Sequence, residues 1–144
     1  MKTMPTTEET QARLAEIPNL TVFHQAPLSR YTRFGIGGPA DLYAETGSVE
    51  AFIAALGVAR ASGIPTMVIG GGTNLIVSDG GYRGIVLRYT GERLLASNGR
   101  VSADAGASLE DLVDFAIERG LAGLETLSGI PGSVGAAIYG NAGA

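Results

Sequence analysis

Glycine-rich segments joined to small polar side chains are the parts of this 144-residue chain best suited to chemistry. The first of them follows an apolar run at 64–69 and consists of Gly70, Gly71, Gly72, Thr73, Asn74 and Leu75. Because glycine has no Cβ, successive backbone N–H groups can converge on one anion, and a diphosphate there would accept charge-assisted hydrogen bonds. Thr73 and Asn74 could add side-chain donors. A tight turn between two strands explains this segment, taken alone, equally well.

A second glycine segment lies near the end of the sequence. It contains Gly129, Ile130, Pro131, Gly132, Ser133 and Gly135. A proline-fixed turn followed by small residues leaves the backbone bare, so a flat ring could lie against it. Backbone amides near Ser133 could then donate to an electron-rich edge of that ring, as proteins do when they tune a flavin. Close helix packing by small residues is the alternative, and this segment alone favours it.

The familiar nucleotide motifs do not fit these glycines. A Walker loop needs a lysine after its last glycine, and Thr73-Asn74 supplies none. The dinucleotide fingerprint would place its third glycine at Leu75 and open a helix there, which residues 78–81 prevent. Residues 35–40 match G-x-G-x-x-A by letter, but Pro39 and a predicted strand follow them instead of a helix. The sequence therefore argues against a Rossmann site.

Other residue types with chemical potential are sparse. The chain has no cysteine and one histidine, His24, which excludes thiolate and histidine metal clusters, so no metal site is expected. Four arginines lie near the first glycines in sequence and could reach phosphates, although most of them are expected to be solvated. These are Arg30, Arg33, Arg83 and Arg88.

Composition places the chain among ordinary globular proteins. It is 45% hydrophobic and 17% charged, and its 22 glycines follow no collagen-like period. A net charge of −4 argues against nucleic acid as a partner. Since there is no signal-peptide core and no run of about 18 apolar residues, we expect a cytoplasmic protein without a membrane span.

The spacing of hydrophobic residues, together with capping and turn residues, predicts the helices and strands that position these segments. Helices are predicted over 8–17, from Ser48 to a stop at Gly63, and from Ser108 to a stop at Gly120. The second helix takes its apolar stripe from Phe52, Ile53, Leu56 and Ala59, and the third from Leu109, Leu112, Val113, Ala116 and Ile117. Strands are predicted over 41–44, 64–69 and 85–87, and a hairpin joins 94–97 to 100–104 through Asn98-Gly99. The composite indicates an α+β or mixed α/β protein.

Four blocks in order resemble the UDP-N-acetylenolpyruvoylglucosamine reductase (UDP-N-acetylmuramate dehydrogenase) family. They read YTRFGIGGPA at 31–40, GGGTNLIVSDGGYRG at 70–84, GLE at 123–125 with GIPGSVG at 129–135, and NAGA at 141–144. The resemblance covers the chain from about residue 27 to its last residue.

This resemblance implies an α+β FAD-binding fold of the vanillyl-alcohol-oxidase/p-cresol-methylhydroxylase type, in which two α+β subdomains clasp FAD. We expect an N-terminal extension at 1–26, a first FAD-binding subdomain at 27–90 and the start of a second at 91–144, which is truncated. Residues 70–75 would hold the diphosphate. Residues 129–135, with Asn141 and Gly143, would line the ribityl and ring end.

The resemblance also implies an activity. In such flavoenzymes of peptidoglycan precursor synthesis, NADPH reduces the flavin, which passes a hydride to the enolpyruvyl group of a UDP-sugar while a serine supplies the proton. That serine, an arginine and a glutamate are expected beyond Ala144, so we predict that this chain alone does not turn over and that the missing C-terminal half is a partner. Alternatives are a non-catalytic FAD-binding or interaction fragment, and another flavin oxidase of the same fold.

Overall fold

The computed structural model describes residues 5–143. A four-stranded sheet in the order β1-β2-β4-β3 is its centre. The strands are β1 (Thr21–Pro27), β2 (Pro39–Thr46), β3 (Thr66–Ile69) and β4 (Tyr82–Tyr89). β1 runs antiparallel to β2, whereas β2 and β3 both run parallel to β4. The predicted strands at 41–44, 64–69 and 85–87 are confirmed, but β1 and a following 3-10 turn (Leu28–Tyr31) were not predicted.

Two helices cover one face of this sheet. α1 (Thr7–Ala15) begins with a capping box between Thr6 and Glu9, and α2 (Val49–Ser62) begins at Ser48, whose hydroxyl accepts from the Ala51 N–H at 3.2 Å. Gly63 ends α2 with φ +70°, as predicted for a left-handed stop. Both helices are therefore confirmed. The core on this side consists of Leu14, Leu42, Ala44, Ala55, Ala59, Ile85 and Leu87.

Loops cover the opposite face of the sheet. Its core consists of Ala26, Leu28, Ala40, Tyr43, Ile69, Val77 and Val86. Segment 28–38 lies against segment 72–81 through backbone hydrogen bonds, since the N–H of Arg33 donates to Gly72 O at 2.9 Å and that of Gly38 donates to Ser78 O at 2.9 Å. Residues 35–40 run into β2, and no helix follows residues 70–75 before β4, so the interpretation of residues 35–40 as a chance motif match is confirmed.

The remaining residues form a smaller layer. β5 (Leu94–Ser97) and β6 (Arg100–Ala103) pair as the predicted hairpin, with Asn98 at φ +51° and Gly99 at φ +73°. α3 (Leu109–Glu118) follows, and a short helix, α4 (Val134–Tyr139), is the last helix of the described part. Ser108 caps α3 through the Asp111 N–H at 3.3 Å, and Gly120 follows the helix at φ +67°. The core here consists of Ala107, Leu109, Leu112 and Val134.

The apolar stripes predicted for α2 and α3 include residues that the structure leaves exposed. Ile53 is 63% exposed and Ile117 is 54% exposed, so neither belongs to the buried face that the spacing predicted. In α2 the buried residues are instead Ala51, Ala55, Ala59 and Ser62. Small side chains face the sheet because the helix lies close to it, and the larger neighbours lie at its flanks.

Candidate functional site

The two glycine segments, far apart in sequence, meet in the structure. A Cβ placed on Gly70 would lie 2.7 Å from Ser133 Oγ and 3.0 Å from Ala136 Cβ. A Cβ on Gly132 would lie 3.2 Å from Thr73 Oγ1. These separations are at or below the closest contacts that side chains tolerate, so the carboxyl end of β3 and the start of α4 approach each other through bare backbone.

The three consecutive glycines do different things. Gly72 has φ +67°, and a Cβ there would overlap the carbonyl oxygen of Tyr31. Glycine is therefore needed at position 72 for the turn and for close packing. A bulky side chain there would disturb the fold itself and not only the binding of a ligand. Gly71 is exposed, its φ is not positive, and a Cβ on it would make only ordinary contacts, 3.9 Å from Thr73 Cγ2 and 4.0 Å from Ser133 N.

Hydrogen bonds fix the second segment to the hairpin layer. Val134 N donates to Ala107 O at 2.8 Å and Gly135 N donates to Ala105 O at 2.8 Å. Ala136 N donates to Ser133 Oγ at 3.4 Å. These amides are therefore committed within the protein and are not free for a ring edge. The N–H of Ser133, by contrast, donates to no backbone carbonyl among residues 5–143. Its nitrogen lies 4.0 Å from the position that a Cβ on Gly71 would occupy.

A cavity of about 770 Å³ opens where the two segments meet. Gly70, Ser133 and Gly135 are among its lining residues, and most of the others are apolar. These include Val49 and Phe52 of α2, Val68 of β3 and Tyr89 of β4. Sites for organic ligands are commonly clefts of roughly 300–1,000 Å³ with mainly apolar walls and a few polar groups, so this cavity could take a flat ring system.

The remaining predicted site residues are less closely gathered. Gly129 and Pro131 are exposed, and Ile130 is half-buried against the third core. Asn74 is exposed, whereas Leu75 packs on the core beneath the loops. Asn141 and Gly143 follow α4, are exposed, and do not line the cavity. Ala144, the last residue of the NAGA block, lies outside the described residues.

The four arginines near the glycines have distinct environments. Arg83 forms an ion pair with Asp41 at 3.0 Å and donates to Pro39 O at 3.1 Å, so it joins the start of β4 to the start of β2 and already has an anionic partner. Arg30 and Arg33 are exposed, as expected of solvated arginines. Arg88 is half-buried in the central strand β4.

Sequence reasoning missed a polar cluster at the carboxyl ends of β2 and β4. Tyr43 is fully buried, its ring stacks on Tyr31 with 3.9 Å between centroids, and its hydroxyl donates to Glu45 Oε2 at 2.6 Å. Burial, and then the bond to Glu45, raise the pKa of Tyr43 far above its ordinary value, while Arg88 acts in the opposite direction. This cluster could not be predicted from the sequence. Leu42, Tyr43 and Ala44 form a continuous apolar run of the kind that is buried on both faces of a sheet, and such a run does not indicate which side chain has polar partners.

Two classes of site find no support in the part of the chain that the structure describes. Residues 5–143 contain no group of three or more histidine, aspartate or glutamate side chains that could hold a metal ion. No helix within those residues is long and apolar enough to cross a membrane.

Comparison with known proteins identifies the relatives of this arrangement. The FAD binding domain family matches residues 40–144. UDP-N-acetylenolpyruvoylglucosamine reductase from Solibacter usitatus is 66% identical over 132 residues, which cover 92% of this chain and 42% of the relative. The enzyme of that name from Rubrobacter xylanophilus is 46% identical over 122 residues, covering 82% and 40%.

A solved structure shares the fold. The crystal structure of UDP-N-acetylenolpyruvylglucosamine reductase from Thermus caldophilus superimposes with a TM-score of 0.69 at 37% identity, covering 87% of this chain and 44% of that one. The expected α+β FAD-binding fold is thereby confirmed. The chain spans less than half the length of the curated relatives it matches.

Proposed function

The chain belongs to the FAD binding domain family and, within it, to the FAD-binding part of the UDP-N-acetylenolpyruvoylglucosamine reductases, and on this premise we propose that its two facing glycine segments hold FAD. The diphosphate would lie against residues 70–75. The ribityl chain and ring end would lie against residues 129–135 with Asn141 and Gly143.

Gly71 carries this proposal. A glycine can be required by a positive φ, by close protein packing or by close approach of a ligand. The first two reasons do not apply at Gly71, whose φ is not positive and whose Cβ would touch nothing closer than 3.9 Å. The third remains, and the space that a Cβ would take faces the N–H of Ser133, 4.0 Å away. An anion there would meet amide donors from both segments.

When bound, FAD supplies two-electron chemistry that no side chain of this protein can provide. The chain's own residues would bind and orient it. Thr73 and Asn74 follow the bare backbone and would add side-chain donors to phosphate oxygens. Phe52, Val68 and Tyr89 form apolar walls from which water is readily displaced by a ring.

The fuller proposal extends to the activity named by the relatives. The chain would be the FAD-binding part of a cytoplasmic, NADPH-dependent oxidoreductase that converts UDP-N-acetylglucosamine enolpyruvate to UDP-N-acetylmuramate in peptidoglycan precursor synthesis. Its support is the identity to reductases of that name over most of this chain. NADPH as hydride donor and the UDP-sugar as substrate belong to the whole enzyme.

FAD titration of the purified chain, followed by quenching of flavin fluorescence, tests the binding proposal. We expect Gly71→Ala to weaken FAD binding about tenfold or more, because the methyl group displaces at least one charge-assisted hydrogen bond. Gly57→Ala is the matched control, since Gly57 is exposed on α2 and a Cβ there meets nothing within 4 Å. If the two variants bind FAD with equal affinity, the diphosphate does not lie against residues 70–72. If the unaltered chain binds no FAD, the whole proposal is overturned.

A further inference from the structure

Arg88 lies one strand away from the first glycine segment. In the pairing of β3 with β4 its Cα is the partner of Ile69, the residue immediately before Gly70. In the pairing of β2 with β4 its partner is Glu45. Arg88 therefore occupies the middle of the sheet at the end where three parallel strands finish, which is where open parallel sheets place their ligands.

The side chain of Arg88 is directed toward the loops that hold Gly72. Val86, two residues earlier, belongs to the loop-covered core, and Leu87 belongs to the helix-covered core. Alternation along β4 thus puts Arg88 on the face of Val86. Tyr43 belongs to the same loop-covered core as Val86, and Tyr31 packs against that core, so Arg88 shares its face of the sheet with both rings. Burial, the largest cause, raises the pKa values of Tyr31 and Tyr43, and the charge of Arg88 acts in the opposite direction on both. The Tyr31 carbonyl in turn packs against Gly72.

Within residues 5–143, Arg88 makes no ion pair, although Arg83, Arg93 and Arg119 do. Its cross-strand neighbour Glu45 instead accepts a hydrogen bond from the hydroxyl of Tyr43 at 2.6 Å. The half-buried guanidinium therefore has no counter-ion partner among these residues, and since no buried side-chain nitrogen there is left without a hydrogen bond, it remains open to solvent and to an incoming anion. An anion seated on residues 70–72 would supply that partner.

We propose that Arg88 binds the diphosphate of the dinucleotide, and so provides the positive charge that the neutral backbone donors of residues 70–72 lack. This inference rests on the proposed function. A diphosphate carries negative charge into a chain whose net charge is −4, so a local cation is needed. Arg83 is occupied by Asp41, and Arg88 is the arginine that the sheet register brings next to the segment.

Titration with two flavins tests this role. Arg88→Gln should weaken FAD binding about 10- to 100-fold and leave the affinity for riboflavin, which has no phosphate, unchanged. Arg88→Lys keeps the charge but loses the planar fork, so FAD binding should weaken about 3- to 10-fold, again without an effect on riboflavin. Arg60→Gln is the control, because Arg60 is exposed on α2, and it should bind both flavins as the unaltered chain does.

The outcomes separate the two proposals. If the unaltered chain binds no FAD, the proposed function itself is wrong. If it binds FAD and both Arg88 variants bind FAD equally well, only the role of Arg88 is wrong. Equal losses of FAD and riboflavin would also overturn that role, because they would show damage to the fold instead of a lost phosphate contact. Should Arg88→Gln not fold by circular dichroism, Arg88→Lys still decides, since affinity equal to that of the unaltered chain contradicts the proposal.

Discussion

Tyr43 combines complete burial with a polar end that must be satisfied. Its ring packs between Tyr31, at 3.9 Å between centroids, and Phe23, at 6.1 Å, and its hydroxyl donates to Glu45. A phenolate at this position would be desolvated and would face a carboxylate, so the fold strongly favours the protonated form. The stability of the protein is therefore linked to the charge state of this residue.

Because the pKa of Tyr43 is raised in the folded state, its contribution to stability is complete below the ordinary tyrosine pKa of about 10 and is lost as pH rises above it. Tyr31 and Tyr89 are shifted in the same direction, chiefly by burial. We expect the free energy of unfolding, measured by urea titration, to fall as the pH rises from about 10 to about 12. Tyr43→Phe should flatten this fall while costing about 1 kcal/mol at the lower pH.

Tyr139→Phe serves as the control for this prediction. Tyr139 is 96% exposed, so its replacement should leave the alkaline fall as it is. An equal flattening in both variants, or none in Tyr43→Phe, would contradict the assignment of the fall to the buried phenol.

Residue-scale roles are where the sequence is least informative. The three residues at 70–72 are all glycine, yet a Cβ on Gly70 would clash with Ser133, one on Gly71 would make only ordinary contacts, and one on Gly72 would overlap the carbonyl of Tyr31. Only the tertiary contacts distinguish them. Likewise, nothing in the spacing of Arg30, Arg33, Arg83 and Arg88 indicated that Arg83 pairs with Asp41 while Arg88 lies across from Ile69 on the next strand.

Elements with local signals were predictable, and those without them were not. Ser48 with Gly63 and Ser108 with Gly120 marked two helices, and Asn98-Gly99 marked the hairpin, because caps and turns are specified by neighbouring residues. β1 was missed because it is an edge strand whose residues are mostly exposed. Its pairing with β2 comes from tertiary contact and not from its own pattern.

The contact between the end of β3 and the start of α4 is an element-scale coupling that mutation can measure. Gly70→Ala would press a methyl group against Ser133 Oγ, 2.7 Å away, and so disturb the cap that Ser133 provides for α4. We expect it to cost about 1 kcal/mol of unfolding free energy. In a Ser133→Ala background the added cost should be smaller, although the 3.0 Å contact with Ala136 Cβ persists.

A double-mutant cycle by urea denaturation gives the coupling between positions 70 and 133. Ala122→Gly in place of Ser133→Ala is the matched control, because Ala122 is exposed in a loop away from this contact. Additive effects of Gly70→Ala and Ser133→Ala would mean that the two segments do not touch in solution.

At the scale of the whole molecule, the glycine segments join a sheet layer to a hairpin layer that each have their own core. A ligand that touches both segments would hold the two layers together and bind only the folded state. FAD at 100 times its dissociation constant should stabilise the protein by about 2.7 kcal/mol. For a chain of this size we expect the Tm to rise by about 5–10 °C.

Thermal unfolding followed by circular dichroism checks this expectation. Riboflavin at the same concentration should raise the Tm less, because it lacks the phosphates that would meet residues 70–72. A Tm that is unchanged by FAD would contradict this expectation, because it would mean that FAD does not bind the folded protein in preference to the unfolded one.

The connection between β3 and β4 has a further consequence. These parallel neighbours are joined by residues 70–81 without a helix, and β3 lies at the edge of the sheet. Parallel strands are usually linked by a helical crossover. Here the glycine loop is anchored only by the strands at its two ends and by neighbouring loops. If residues 70–75 hold FAD as proposed, we therefore expect opening of the β3–β4 pairing to release it, so that its residence time is no longer than the lifetime of that pairing.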